Sequence, residues 1–334
     1  MKAMVIHRPA PIEKEPLKLE ELEVPEPGPD EILIEIKCCG VCRTDLHIVE
    51  GELKPVKLPV VPGHQVVGYV KEVGSEVDDV KPGDRVGVPW LYWACGRCKY
   101  CRRGLENLCD HALFTGYSVD GGYAEYMVAK KGFVHPLPNS HDDCHAAPLL
   151  CAGAVGYRAL RLTGLVERGE GVLGLFGFGA SAHLMLQAAK ALGLEVYVFT
   201  HTPWKIEYAY KLGADWAGDT RETPPKKLDA AIVFAPVSWV FIEALKKLDK
   251  GGRVVLGEIY MSPIKELDYS LLWLEREVKT TANVTRRDVR EFLELAGRHN
   301  IVPDVTVYKL EDANKALLDL KKGTVKGQAV LRIR

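Results

Sequence analysis

The stretch Val172-Leu173-Gly174-Leu175-Phe176-Gly177-Phe178-Gly179-Ala180-Ser181-Ala182 decides the architecture. Its first five residues are an apolar run of strand length. Two glycines spaced by one residue follow, and then a helical pattern that runs on to Leu192. A strand that breaks at G-x-G and opens a helix is the context required of a dinucleotide fingerprint. Gly177 makes the tight turn, and Gly179 lets the backbone of the Gly179-Ala180 step approach a pyrophosphate at the helix N-terminus. Ala182 stands where a third glycine is usual and is still small enough for close packing.

Outward from this loop the alternation continues. Glu195–Phe199 reads as a second strand, Pro203–Leu212 as a helix, and further apolar runs follow at Leu228–Phe234, Arg253–Ile259 and Val278–Val284. Strands alternating with helices of this size predict a doubly wound parallel sheet of Rossmann type. The acidic residue that would hold the adenine ribose is expected about 20 residues beyond the loop. That place reads Phe199-Thr200-His201-Thr202-Pro203, with no carboxylate. A 2′-phosphate can sit there, helped by Thr200, His201 and Lys205, so the reading leans toward NADP over NAD.

The first third has a different rhythm. Short β-type runs such as Glu31–Cys38, Gln65–Val73 and Arg85–Pro89 are punctuated by Pro and Gly, which predicts a small all-β unit with long loops. With 334 residues the chain is long enough for two cores. The tail after Arg286 is assigned back to the β-rich unit. Formal net charge is −1, which gives no bulk attraction to nucleic acid or to an anionic membrane. The start, Met1 to Pro9, has no signal-peptide apolar region and reads as the first strand of a cytoplasmic protein.

Nine cysteines are present, and four of them lie between positions 95 and 109. Cys95, Cys98, Cys101 and Cys109 follow C-x2-C-x2-C-x7-C. Each C-x2-C aims two thiolates at one point, and four thiolates close a tetrahedral, structural zinc site. An iron–sulfur run would close with C-x3-C-P, which is absent.

Gly40-Val41-Cys42-Arg43-Thr44-Asp45-Leu46-His47 gathers a thiol, a guanidinium, a hydroxyl, a carboxylate and an imidazole in one octet. Cys42 with His64, in Pro62-Gly63-His64, and Cys151 make a Cys2His set with an open fourth position, the pattern of catalytic zinc. Spacing alone leaves Cys144, flanked by His141 and His145, as a competitor for Cys151. Cys38 shares strand parity with Ile32, Ile34 and Ile36 and is read as a core residue, whereas Cys39 has the opposite parity and no assigned role.

Together these motifs resemble the zinc-dependent medium-chain alcohol dehydrogenases over nearly the whole length. The resemblance rests on Gly40–His47, Pro62–His64, Gly83-Asp84-Arg85-Val86, the four-cysteine loop, Gly121–Tyr126, Cys151 and the glycine loop. It implies a discontinuous GroES-like catalytic domain, 1–151 and 286–334, around a Rossmann domain, 152–285. It settles the third ligand on Cys151. It implies two zinc ions per chain, Thr44 at the alcohol oxygen, His47 at the end of a proton relay through the cofactor ribose, Arg43 on cofactor phosphate, and Asp45 orienting His64. Trp90, Leu113 and Trp273 are expected pocket walls. The expected reaction is reversible hydride transfer between a primary or secondary alcohol and NAD(P), in a homodimer or homotetramer, with no nucleic-acid or membrane partner. An aldehyde reductase or polyol dehydrogenase of the same family is the alternative, and a non-enzymatic zinc protein the reading from a different class. One departure stands beside the metal: the family's Gly-His-Glu is here Gly63-His64-Gln65.

Overall fold

The computed structural model describes residues 1–334. The chain forms two compact units, Met1–Cys151 with Asn283–Arg334, and Ala152–Ala282. In the first stretch are β1 (Lys2–Ile6), β2 (Leu17–Glu21), β3 (Glu31–Gly40), α1 (Arg43–Glu50), β4 (Val66–Val73), β5 (Arg85–Val88), β6 (Leu91–Trp93), β7 (Leu113–Phe114), β8 (Tyr126–Lys130), β9 (His135–Pro136) and α2 (Asp143–Ala146). The inserted unit holds α3 (Ala152–Thr163), α4 (Leu165–Arg168), β10 (Val172–Phe176), α5 (Ala180–Ala191), β11 (Glu195–Phe199), α6 (Pro203–Lys211), β12 (Trp216–Gly218), β13 (Leu228–Val233), α7 (Ser238–Lys247), β14 (Leu248–Leu256) and β15 (Glu277–Thr280). The tail adds α8 (Arg286–His299), β16 (Val305–Lys309), α9 (Ala313–Lys322) and β17 (Gln328–Arg332).

The unit made from both chain ends is β-rich and GroES-like. Its main sheet runs β16-β17-β3-β4-β5-β9, with β8 also paired to β3. β3 is the hub, because it pairs antiparallel with β17, β4 and β8. Ile32, Ile34 and Ile36 are buried as alternation predicts. The β3–β4 register then shifts between Ile36 and Cys38, so both Cys38 and Cys39 are buried rather than one of them. Such an irregularity re-aims side chains, and here it delivers the chain into the Gly40–His47 octet.

Cys38 is buried, as strand parity indicates, but it is also covalently paired, and the reading of Cys144 as a rival metal ligand needs correction. Cys38 on β3 and Cys144 on α2 form a disulfide across 106 residues of sequence. Strand parity reports burial and is blind to a covalent partner that far away.

The inserted unit is a Rossmann fold. Its sheet is ordered β12-β11-β10-β13-β14-β15, and every neighbouring pair is parallel. The order reverses beside β10, and the carboxyl end of a strand at such a switch point is where ligands sit. Core residues Phe176, Phe199, Phe241 and Val233 fill the sheet faces.

His135 on β9 gives the first unit a defined acid response. It is buried, and Nε2 has no hydrogen-bond partner. Burial, and then the charges of Arg290 and Arg286, push its pKa from 6.5 down to about 3. The unfolded chain therefore takes up a proton below pH 6.5 that the folded chain refuses until about pH 3. This residue's contribution to stability is whole above pH 6.5 and drains away as pH falls toward 3. The rate is at most about 1.4 kcal/mol per pH unit. A His135→Leu variant is expected to lose about 1–2 kcal/mol less than the parent between pH 7 and pH 5 in urea titrations. Equal losses would remove His135 from the acid response.

Candidate active site

The octet becomes a helix start. Cys42 is the N-cap of α1: its Sγ accepts from Thr44 N at 3.5 Å, and the Asp45 carboxylate accepts from Cys42 N at 2.9 Å. This is a capping box in which a thiol replaces the usual hydroxyl. The box fixes Cys42 at the helix N-terminus, where a thiolate is favoured. Thr44 and His47 then stand three residues apart on α1 and so share a face. Both are half-buried, and Arg43 between them and the cap is exposed.

Asp45 is fully buried and every bond it makes serves this site. Oδ1 holds His64 Nδ1 at 2.8 Å, while Oδ2 accepts from Cys42 N and from Tyr123 Oη at 3.2 Å. With Nδ1 engaged, His64 presents Nε2, which lies 3.4 Å from Cys151 Sγ. The ligand atoms of Cys42, His64 and Cys151 all lie within 4.8 Å of one another. Two sulfurs and one imidazole nitrogen converging in this way fit a Cys2His zinc site, with a carboxylate behind the histidine as such ligands require.

The electrostatics prepare the donors. The Cys42 thiol is held well below its usual range by its hydrogen bond with Cys151 and by His64, against the cost of burial. Burial opposes a charged imidazole at His64, but the Asp45 carboxylate and Cys42 outweigh it and raise the ring from 6.5 to about 10. Coordination through Nε2 must displace that proton, so metal uptake is coupled to proton release. Cys39 behaves oppositely: burial and Asp45 push its thiol well above the usual value, so it stays a neutral neighbour. Gly63 is obligatory here, because φ is +97° and a Cβ would come within 2.4 Å of the Tyr123 ring.

Trp90 stands edge-on to His64, with ring centres 5.0 Å apart, and stacks on Phe114 and Tyr117. Trp90, Phe114 and Tyr117 thus form an aromatic shelf beside His64. Leu113 lies on β7 next to Phe114 and is exposed, and Trp273 belongs to the inserted unit and is exposed. His47 Nδ1 is paired with the Glu52 carboxylate, a partner with no motif to announce it.

The Sγ atoms of Cys95, Cys98, Cys101 and Cys109 also lie within 4.8 Å of one another. Backbone N–H groups of Arg97 and Cys98 pull Cys95 down to about 6, and Cys109 packs with Leu91, Ala94 and Phe133. Four thiols with no fifth donor fit a closed zinc site. Arg286 at the start of α8 ties this loop down through Glu106, from N at 3.0 Å and Nε at 3.2 Å.

In the inserted unit Gly177 has φ +87°, and its N–H donates to Phe199 O at 2.9 Å, which brings the end of β11 beside the loop. Gly179 caps α5 without any side-chain hydrogen bond, and a Cβ there would meet nothing within 4 Å. The first turn from Ala180 thus leaves its N–H groups open to an anion, which fits a dinucleotide pyrophosphate. Ala182 is buried in the helix packing. Thr200 is buried, His201 exposed, and Lys205 half-buried, its ammonium pushed down in pKa by burial.

Comparison with known proteins agrees with this construction. Residues 28–139 match the alcohol dehydrogenase GroES-like domain, and residues 182–298 the zinc-binding dehydrogenase domain. The chain is 45% identical to the protein named "Probable alcohol dehydrogenase AdhA" of Mycobacterium tuberculosis, covering 100% of this chain and 97% of that one. It is 39% identical to an alcohol dehydrogenase of Geobacillus stearothermophilus, covering 100% and 99%. The structure of CAD from Helicobacter pylori complexed with NADP(H) superposes with TM-score 0.85 at 26% identity, covering 99% of each chain. The fold and the donor sets define a zinc- and nicotinamide-dependent dehydrogenase. The chain belongs to the zinc-dependent medium-chain alcohol dehydrogenase family, with the activity of an NAD(P)-dependent alcohol dehydrogenase.

Proposed function

We propose that this chain oxidises primary or secondary alcohols reversibly to aldehydes or ketones, with Cys42, His64 and Cys151 holding a catalytic zinc. The observation that carries the reading is the convergence of those three donors behind Asp45, on the helix that also bears Thr44 and His47. Bound zinc supplies Lewis acidity at the substrate oxygen, and the nicotinamide supplies the hydride acceptor. The chain's own residues handle the proton. The Thr44 hydroxyl accepts it from the substrate oxygen at Oγ1 and in the same step gives up its own proton. His47, with Nδ1 held by Glu52, keeps Nε2 free to accept it on the way to solvent. Trp90 and its stacked partners keep one side of the site apolar.

In this reading Cys95, Cys98, Cys101 and Cys109 bind a second, structural zinc. The catalytic domain comprises 1–151 and 283–334, and 152–282 is the nucleotide-binding domain, three residues short of the 285/286 boundary expected from the sequence. Gly177, Gly179 and Ala180 cradle the pyrophosphate, with Arg43 as a further phosphate partner. Thr200, His201 and Lys205 favour NADP over NAD, and the Helicobacter pylori structure was solved with NADP(H). A homodimer or homotetramer is supported by the edge strand β15, where Val278 is exposed, and by exposed Ile259, Tyr260, Tyr269 and Trp273 in the same unit. No helix is long and apolar enough to cross a membrane. A cytoplasmic location belongs to the reading, although bridges such as Cys38–Cys144 are rare in reducing compartments.

The test is a panel of primary, secondary and aromatic alcohols with NAD and NADP separately, together with a metal count expecting two zincs per chain. Absence of turnover across the panel with both zincs bound would overturn the reading. Thr200→Asp sets a carboxylate against a 2′-phosphate, and like charges brought together cost several kcal/mol. The ratio of kcat/KM with NADP to that with NAD is expected to fall by at least about tenfold. An unchanged ratio would remove Thr200 from cofactor choice.

A further inference from the structure

Behind the Cys2His donors lies a buried pair of amides that the chemistry above does not use. Gln65 follows His64 directly, and its side chain lies across Gly40, where a Cβ would come within 2.8 Å of Gln65 Cδ. Its Oε1 accepts from Gln328 Nε2 at 2.8 Å, and the same nitrogen donates to Val41 O at 3.3 Å. Gln328 is the first residue of β17, and Val41 is the residue before Cys42. One –NH2 group therefore spends its two hydrogens on the neighbours of two ligands. Both glutamines are buried. Backbone bonds frame the contact: Gly40 N donates to Gln65 O at 3.0 Å, and Val41 N to Ala329 O at 2.8 Å.

We propose that Gln328 is a positioning residue for the metal site. It clips the segment entering Cys42 to the segment leaving His64, and Gln65 Oε1 is the acceptor that the clip uses. The inference rests on the assignment of Cys42 and His64 as ligands.

Three features argue that the pair is selected for geometry. The two segments are far apart in sequence, and a third, from the end of the chain, joins them. Gln65 Nε2 and Gln328 Oε1 have no partners although both side chains are buried. Leaving buried polar atoms unpaired is destabilising, and two apolar side chains of the same shape would avoid that cost. Finally, both contacts of the clip fall on residues directly adjacent to a donor, so a small slip of either segment changes the Cys42–His64 separation. Partners that orient metal ligands typically contribute 10–100-fold to metal affinity or activity.

The test measures zinc release to the chromogenic chelator 4-(2-pyridylazo)resorcinol, on the intact, metal-loaded protein. Gln328→Leu is expected to speed release of one zinc by at least about tenfold. It should leave the second, four-cysteine zinc at the parent rate. It should also lower kcat by a similar factor with little change in KM for the alcohol. Gln65→Leu, which removes the acceptor without touching β17, should do the same and serves if Gln328→Leu does not fold. Gln65→Glu retains an acceptor for Gln328 Nε2 and should return release to within about threefold of the parent. The double variant, Gln65→Leu with Gln328→Leu, should be no worse than either single change, because the pair acts as a unit. Parental release in folded Gln328→Leu and Gln65→Leu would overturn the clip and leave the ligand assignment standing. Retention of both zincs by His64→Ala would instead overturn the ligand assignment, and the clip with it.

Discussion

His64→Ala is expected to leave the protein with one zinc per chain and to lower kcat/KM by about a thousandfold or more. The imidazole is the only nitrogen donor among the three proposed ligands, whose atoms converge within 4.8 Å. Without it two sulfurs remain, too few to hold zinc tightly in an open site. Lewis-acid stabilisation of the developing oxyanion is worth several kcal/mol, and each 1.4 kcal/mol is tenfold in rate. The loss also strands Asp45, which is fully buried and whose Oδ1 is paired with His64. Cys42 N and Tyr123 Oη still reach Oδ2, but removing one partner of a buried pair typically costs about 3–5 kcal/mol. Melting temperature should therefore fall along with activity, by roughly 2–4 °C per kcal/mol for a unit of this size. The four-cysteine zinc has its own donors and should stay, which makes elemental analysis decisive. A variant that kept both zincs and most of its turnover would show that the three donors are not a catalytic metal site.

How much of this was legible beforehand depends on the range over which each feature acts. The four-cysteine loop is local, so spacing alone brings its thiols to one point. The glycine loop is equally local, since strand, turn and helix lie within one stretch. Cys42 and His64 could be nominated from their surroundings, but Cys151 and Cys144 could not be separated by spacing, because only the folded chain decides which sulfur reaches His64 Nε2. The bridge that removes Cys144 from contention joins β3 to α2, and the parity rule, which correctly placed Cys38 in the core, gives no sign of that bridge or of the irregularity after Ile36 that buries Cys39 as well. Tyr123 was present in a matched stretch, Gly121–Tyr126, yet its hydroxyl bond to Asp45 spans 78 residues and has no periodic signal. Glu52, paired with His47, and Gln328, paired with Gln65, were equally silent. The residues that do chemistry carry unusual side chains and announce themselves. Those that aim them are ordinary residues brought in by topology.

Opening the Cys38–Cys144 bridge is the second change expected to have a large effect. Both sulfurs are buried, one on the hub strand of the main sheet and one on α2. The bridge closes a loop of 106 residues, for which the chain-entropy model gives roughly 4–5 kcal/mol at 25 °C. Measured losses on removing native disulfides run at about 2–5 kcal/mol. Spread over a unit of this size, that predicts a melting temperature lower by roughly 10 °C in the Cys38→Ser, Cys144→Ser double variant. Scanning calorimetry of parent and variant would measure it, and non-reducing peptide mapping should first find the Cys38 and Cys144 peptides linked in the parent. The effect should extend beyond stability. α2 is followed by a 3-10 turn, Ala147–Leu150, which ends at Cys151, so the bridge anchors the approach to Cys151, the proposed third ligand, on the strand that leads into Cys42. Faster loss of one zinc on warming should accompany the lower melting temperature. Equal melting temperatures with the linked peptide present would leave the bridge without a stabilising role. Free thiols at both positions in the parent would show that the bridge does not form.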